Sequence, residues 1–575
     1  MITLKRSAII LSLLLAACAH KPQQAVEPLA KPEPQAERPE KPLNLPKMEL
    51  TGEMLYKFLL ADVASQRGMT GMAAQIYMNL AVFTRDPRVA SYAAHLAYQA
   101  RDIDKAVETY KLWLELEPDS LPARQMLTMT LISGGRLDEA HPYLVEMLAA
   151  YPGKAGHAFM KIYPFLVQHP DKMAVFNLVS DLAQPYPGVA EAHWVLAQAA
   201  EAAGKHETAL NEVRKARVLR PEMEQAVLVE AQLLKRESPQ EALALLKKYL
   251  AAYPDAGETN LLYARTLLEQ KQYAEARAEF QRLLKAHPEN AELAFTVAML
   301  SMEMGELEQA EAGLKQALAK GKKDDNTVYY YLGQLYEVKK NDKEALQNYR
   351  KVEEGGYVYT ARLRAAYLIS KAGNLEEARE YLRQTVAQNN QQRVQLILVE
   401  TQLLREAKQF DVAYQVLTQE MEKLPNHPDL LYWGAMLAEQ IGKHDTFEQL
   451  MRKVIQINPE HAQAYNALGY SLLERNVNVE EGMQLVEKAS QLAPNDVAII
   501  DSVGWGHYRM GNIPKSLEFL RRAYDADPDP EIAAHLGEVL WVKGEKDQAS
   551  RIWKDSLSLH PDNAVLQAVM KKFLP

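Results

Sequence analysis

From residue 51 onward, apolar residues recur at spacings of three and four, and short polar turns interrupt them. That period predicts amphipathic helices, and no stretch alternates apolar and polar residues long enough to argue for a strand. The interruptions are themselves periodic. Prolines close successive segments at Pro87, Pro118, Pro152, Pro187, Pro221, Pro254 and Pro288, then at Pro425, Pro459, Pro494, Pro528 and Pro561, with gaps of 31 to 35 residues within each run. Between the two runs, Lys322, Gly356 and Asn390 stand near the expected places. A small residue keeps the same beat at Ala73, Ala106, Ala140, Ala209, Ala242, Ala276, Ala310, Ala345, Ala378, Ala413 and Ala549. Val175, Phe447, Gly482 and Ser516 fill the remaining slots. Fourteen steps cover the 476 residues from Ala73 to Ala549, a mean period of 34. Two independent markers in one phase predict a chain of repeated helix–turn–helix units.

The units carry a recurring residue pattern. One reads Tyr329-Tyr330-Tyr331-Leu332-Gly333, then Tyr336, Ala345 and Tyr349. Another has Tyr465, Leu468-Gly469, Leu472, Gly482, Ala489 and Pro494, with one inserted residue in its turn. A third has Val503-Gly504, Ser516, Leu520, Ala523 and Pro528, and a fourth Leu536-Gly537, Leu540, Ala549, Trp553 and Pro561. A small residue at the eighth and twentieth positions lets two helices approach, and large residues at positions 4, 7, 11 and 24 fill the space between units. Proline stops the second helix because its ring clashes with a continuing one. Pro-Asn-Asp at 494–496 and Pro-Asp-Asn at 561–563 offer N-caps for the helix that follows. A period of 34 with these residues resembles the tetratricopeptide repeat, or TPR. The resemblance implies an all-α solenoid, a right-handed superhelix of about fifteen units, divided here into N-terminal repeats at 51–325 and C-terminal repeats at 326–575. The match is densest from about 326 on. It is weakest at 155–187, where Pro164 and Pro170 fall inside expected helices and predict a kink or a break. Asn563 to Leu574 reads as a lone capping helix, which a stack needs because each unit buries its apolar face only against a neighbour.

Composition narrows the function. The 575 residues hold 66 Lys and Arg against 75 Asp and Glu, a net charge of -9. A nucleic-acid binder would need a basic face. A single cysteine excludes a disulfide framework and a cysteine zinc cluster. The chain contains no His-Glu-x-x-His, Gly-x-Ser-x-Gly, Gly-x-Gly-x-x-Gly or Walker sequence. Of 14 histidines, His169, His287, His427 and His560 precede prolines, and the last three read as turn residues at unit ends. The expectation is a protein without catalytic residues, metal or cofactor.

The N-terminus reads as an address. Lys5 and Arg6 precede a short apolar run, Ile9 to Ala17, too short for a stable membrane span of about 20 residues. Basic start, short apolar run and small residues describe a secretory signal peptide over 1–17. The run ends Leu15-Ala16-Ala17-Cys18, which resembles the lipobox of bacterial lipoproteins. The resemblance implies that Cys18 is the first mature residue and carries three acyl chains, a firm anchor where one chain would be marginal. Ala19 instead of Asp leans towards the outer membrane. Loss of Lys5 and Arg6 with the signal makes the mature chain more acidic by two charges. Residues 18–50 form a Pro-rich tether with seven prolines, which could extend on the order of 100 Å at about 3.1 Å per residue.

By the same resemblance, positions near 2, 5, 9 and 12 of each first helix line the inner face of the stack. In the last three units they are Asn466 and Tyr470, then Asp501, Trp505 and Tyr508 with Arg509 beside them, then Glu538 and Trp541. Aromatics and Arg are the residue types that anchor interfaces, so this stripe is the candidate partner site. The competing reading has Trp505 and Trp541 simply packing against adjacent helices. The Lys/Asn carboxylate clamp of chaperone-binding TPRs is matched only at Asn466. Lipobox, tether and array together resemble periplasm-facing TPR lipoproteins. The stretches Asp501-Ser502-Val503-Gly504-Trp505 and Pro530 to Trp541 look like the adaptor lipoproteins of a periplasmic carboxyl-terminal processing protease. That resemblance implies a scaffold recruiting the protease and peptidoglycan hydrolases as its substrates. The alternatives are a scaffold for outer-membrane protein assembly or polysaccharide export, a peptidoglycan-active enzyme, and a bare spacer.

Overall fold

The computed structural model describes residues 45–149, 153, 155–322 and 324–574. The expected signal segment, Cys18 and the tether up to residue 44 lie outside the described residues, as does Pro152. Among the described residues there are 31 α-helices and no strand. They run as hairpin pairs, from α1 (Gly52–Gln66) with α2 (Thr70–Thr84) to α29 (Pro530–Lys543) with α30 (Lys546–Leu559), and end in an unpaired α31 (Ala564–Phe573). This is the all-α TPR solenoid the 34-residue beat predicts, with its capping helix. None of these helices is long and apolar enough to cross a membrane.

The two periodic markers have separate structural jobs. Every alanine of the ruler, from Ala73 to Ala549, is buried, between 0% and 1% exposed. The helices of a pair approach as closely in the units whose slot is not alanine: a Cβ on Gly469 would lie 2.8 Å from the carbonyl oxygen of Gly482, and one on Gly504 would lie 2.7 Å from Leu520. The helices of a pair meet backbone to backbone at these points. At the turns, Asp496 accepts hydrogen bonds from the amides of Ala498 and Ile499, and Asn563 from that of Leu566. These are the N-caps that the two proline-led tripeptides offer. The inserted residue of the 462–494 unit is absorbed by two left-handed asparagines, Asn476 at φ 56° and Asn478 at φ 46°. Asparagine tolerates that region better than most side chains.

The chain divides into two compact units after Lys322. In the first, the regular pairing changes at 155–187. Here α7 (Ala155–Leu166) and α8 (Lys172–Ala183) are both helical, with Pro164 inside the end of α7 and Pro170 in the turn. They do not close on each other as other pairs do. Instead α7 lies against α5 (Leu121–Ser133) and α9 (Ala190–Ala202), and α8 against α6 (Leu137–Ala149) and α9. Val175 stands where neighbouring units have alanine, and its extra bulk works against the close approach that alanine allows.

In the second unit the two second helices that lack a terminating proline are short. Both α18 (Asp342–Arg350) and α20 (Leu375–Arg383) have nine residues, against fourteen in α30. A buried carboxylate steadies this region. Glu400 on α21 (Asn390–Glu406) is 3% exposed and accepts from Arg379 Nε at 3.0 Å and Arg383 Nη2 at 2.8 Å, both on α20. Removing it strands Arg379, which keeps only the exposed Glu376 as a partner. Glu400→Ala should therefore cost about 2 kcal/mol, the scale of a hydrogen bond to a charged group. Urea unfolding of the variant checks this, and a midpoint equal to wild type would refute it.

Candidate functional site

The sequence-predicted stripe sits on three first helices, α25 (Ala462–Glu474), α27 (Val497–Arg509) and α29. Behind them stand their hairpin mates α26 (Val479–Leu492), α28 (Ile513–Ala526) and α30. Successive first helices touch, α25 with α27, α27 with α29 and α29 with α31, so together they make one continuous face. Behind that face the mate helices pack closely on glycines, Gly469 against the backbone of Gly482, Gly504 against Leu520 and Gly537 against the Trp553 ring.

The side chains on this face are strongly engaged with one another. Trp505 is buried, and its ring stacks on His535 with centroids 4.2 Å apart. Its indole Nε1–H donates to Glu474 Oε2 at 2.8 Å. Asp501, also buried, holds His535 Nδ1 at 2.9 Å. On the other side of that imidazole, Nε2 lies 3.3 Å from the hydroxyl of Tyr470, which is half-buried. Burial alone would lower the His535 pKa. The charges of Asp501, Glu474 and Glu531 and the Asp501 hydrogen bond outweigh it and hold the imidazole above its usual range. Burial and the carboxylates of Glu474 and Asp501 push the Tyr470 phenol well up. With both ring nitrogens occupied and Trp505 over its face, His535 has no nitrogen left for a substrate. It ties α25, α27 and α29 together.

The remaining predicted residues divide in the same way. Arg509 donates from Nε to the carbonyl of Leu473 at 2.8 Å and from Nη2 to that of Glu474 at 2.6 Å. It closes the C-terminal end of α25, where carbonyls lack helical partners. Tyr508 donates to Glu538 Oε1 at 3.3 Å, and burial, with the Glu538 charge, pushes its pKa up to about 12. Glu538 is buried and also receives Lys572 Nζ from α31 at 3.0 Å. Trp541 packs beside Trp553 and Phe573, with centroids 5.8 and 5.9 Å away. The Asn466 side-chain oxygen is buried without a hydrogen-bond partner. Packing against adjacent helices thus accounts for Trp505 and much of Trp541. Tyr470, Tyr508, Arg509 and Trp541 remain half-buried, flanked by exposed Glu474 and Glu531.

His535, Glu474, Trp553, Phe573 and Lys572 are the members of this network that the stripe omits. The register could have found His535, which stands 34 residues after Asp501 and so on the same line of the face. Elsewhere the first unit has a shallow cleft of about 340 Å³, lined by Arg88, Tyr92, His95, Trp113 and Glu117 among others. Among the described residues no group of three or more His, Cys, Asp or Glu is placed to hold a metal ion.

A stack of hairpins with an aromatic, carboxylate-edged face formed by its first helices is a TPR scaffold, a protein that binds other proteins. The sequence profile of the tetratricopeptide repeat matches residues 233–294 and 267–335. That stretch lies mostly ahead of the C-terminal units in which the consensus residues are densest. A TPR repeat-containing protein of Pseudomonas aeruginosa is 36% identical over 486 residues, spanning 84% of this chain and 82% of its own length. The chain belongs to this family of TPR repeat-containing proteins. Solved structures similar to a part of the chain include a thermophilic TPR protein of Thermus thermophilus, 20% identical, covering 31% of this chain and 98% of its own, with a TM-score of 0.29. The C-terminal part of a TPR repeat-containing protein from Cytophaga hutchinsonii is 16% identical, covering 42% and 98%, with a TM-score of 0.34.

Proposed function

We propose that the chain is a lipid-anchored adaptor on the periplasmic side of the outer membrane. It gathers a carboxyl-terminal processing protease and the peptidoglycan hydrolases that the protease cleaves. The lipobox ending at Cys18 supports the anchor, and the Pro-rich tether supports reach away from it. The resemblance of residues 501–505 and 530–541 to protease adaptors supports the partner. The observation that carries a docking role is the first-helix face of α25, α27 and α29. Its half-buried tyrosines stand on a floor fixed by His535, with exposed Glu474 and Glu531 at the edge. Such a face is pre-organised, so a partner orders few side chains on binding. Holding enzyme and substrate on one scaffold raises their effective concentration without any chemistry by the scaffold itself.

The test is purification of the full chain from detergent-solubilised membranes, with mass spectrometry of what accompanies it. A protease should co-purify. The double variant Tyr508→Ala with Glu531→Lys changes the accessible edge and leaves Trp505 and His535 in place. It should weaken the complex at least tenfold, about 1.4 kcal/mol, with an unchanged circular dichroism spectrum. Recovery of a barrel-assembly or polysaccharide-export component in place of a protease would overturn the adaptor reading. Unaided degradation of cell-wall sacculi by the pure protein would overturn the scaffold itself.

A further inference from the structure

The first-helix face of α25, α27 and α29 holds more negative charge than its own cations match. Three carboxylates act on the His535 imidazole, those of Asp501, Glu474 and Glu531. Asp501 is paired with it at 2.9 Å, which leaves the other two in excess. Enclosed carboxylates elsewhere in the second unit are matched. Among the described residues its four buried ones each touch a cationic side chain: Glu400 has Arg379 and Arg383, Glu420 has Arg393 and Lys423, Asp501 has His535, and Glu538 has Lys572. Glu474 instead takes a hydrogen bond from the Trp505 indole on Oε2. Arg509, the cation beside it, is bonded to the backbone carbonyls of Leu473 and Glu474. Glu531 has its amide bonded to Asp529 and no cation on its carboxylate. Partial burial of that carboxyl and the charges of Asp529, Asp501 and Glu474 hold it above its usual range, against the pull of His535. The neighbouring phenol adds a donor. His535 gives Nδ1–H to Asp501 and, when protonated, Nε2–H to the Tyr470 hydroxyl oxygen. The hydrogen of that hydroxyl is then directed away from the imidazole.

We propose that this face receives a basic peptide segment of a partner, with one Arg or Lys side chain between Glu474 and Glu531 and the Tyr470 hydroxyl donating to a carbonyl of the same segment. This rests on the docking role proposed above for the same face and adds the chemistry of what docks there. Charge complementarity selects the occupant. A cation is attracted by two carboxylates that no side chain of the fold neutralises, and its hydrogen bonds to them are of the strong, charge-assisted kind. An acidic segment, a free C-terminal carboxylate or an anionic lipid headgroup meets the same two charges and is repelled. The sign is therefore opposite to that of the carboxylate clamp, whose Lys/Asn set is matched here only at Asn466. The Trp505–His535 stack beneath is fixed by Asp501 and Glu474, so the site is formed before the partner arrives.

The experiment selects random peptides displayed on phage against the full chain with Cys18→Ser, which removes the lipid site. The best binder is then made as a free peptide and titrated by calorimetry. Arg or Lys should be enriched at one position, and its replacement by citrulline or Gln should weaken binding by about tenfold or more. Glu474→Gln together with Glu531→Gln in the protein should cause a loss of the same size. That pair keeps an oxygen for the Trp505 indole, and its circular dichroism spectrum should match wild type. Tyr470→Phe should give a smaller, severalfold loss. Selection of acidic or purely apolar peptides overturns the proposal, as does the absence of any binder. So do basic peptides that bind the double variant as tightly as wild type. The adaptor reading fails separately. A protease complex that survives Glu474→Gln with Glu531→Gln overturns this site and leaves the adaptor standing. Basic peptides that bind here while no protease co-purifies do the reverse.

Discussion

Trp553→Ala will loosen the last three helices of the array by about 3 to 5 kcal/mol, the cost of truncating a fully buried tryptophan. The indole is 0% exposed and lies in the notch opposite Gly537, where a methyl group would collide with the ring. Its Nε1–H donates to the carbonyl of Ala534 at 3.3 Å, and Trp541 and Phe573 stack beside it. Around them, Leu536, Leu540 and Leu566 belong to the same buried cluster, which Leu517 and Leu520 of α28 join from the preceding unit. In a one-dimensional stack such a loss stays local, because each unit holds only its neighbours. Hydrogen exchange should therefore show α29, α30 and α31 losing protection while α1 to α16 keep theirs. Gly537→Ala should destabilise the same helices in the native background, by overpacking. In the Trp553→Ala background most of that cost should vanish, since the colliding ring is gone, and the cycle measures the coupling directly. Unchanged protection of α29 to α31 in Trp553→Ala would show that the end of the stack does not rest on this residue.

The same notch shows what can be read from sequence and what cannot. Gly537 and Trp553 fall at the eighth and twenty-fourth positions of a 34-residue unit, so their pairing follows from the period alone. Tyr349 against Gly333 repeats it two hundred residues earlier. Helix number, hairpin pairing, the caps at Asp496 and Asn563 and the final helix are all local or nearest-neighbour features, and a repeat writes those plainly. Contacts that skip a unit are another matter. Tyr470 reaches His535 across 65 residues, and that depends on how sharply successive first helices close on one another. Small differences in packing angle decide it, and no single residue type encodes them. For the same reason sequence left Trp505 open between floor and anchor. The structure puts its ring inside, on His535. The short helices α18 and α20 went unseen because their signal is a missing proline, which marks no particular end point.

His535 gives the second large effect, through pH. Its imidazole is held above the ordinary histidine range in the folded chain despite full burial, because Asp501, Glu474 and Glu531 face it. A group whose folded pKa is raised binds its proton more tightly when folded. It therefore stabilises the fold fully below the unfolded value of about 6.5, and the contribution is lost as pH rises through the folded value. Urea unfolding of the wild type and of His535→Gln should thus differ most in slightly acid solution, and the gap should narrow as the solution becomes alkaline. Asp501→Ala removes the hydrogen-bonded partner and leaves a buried histidine beside Trp505 with only the more distant charges of Glu474 and Glu531 to favour its proton. Breaking a buried pair in this way costs about 3 to 5 kcal/mol. In that variant the imidazole should prefer to be neutral, so α25 to α29 should lose stability on acidification, the reverse of the wild type. A gap between wild type and His535→Gln that widens towards alkaline pH would mean that the imidazole is neutral in the native fold, and that packing alone holds this face together.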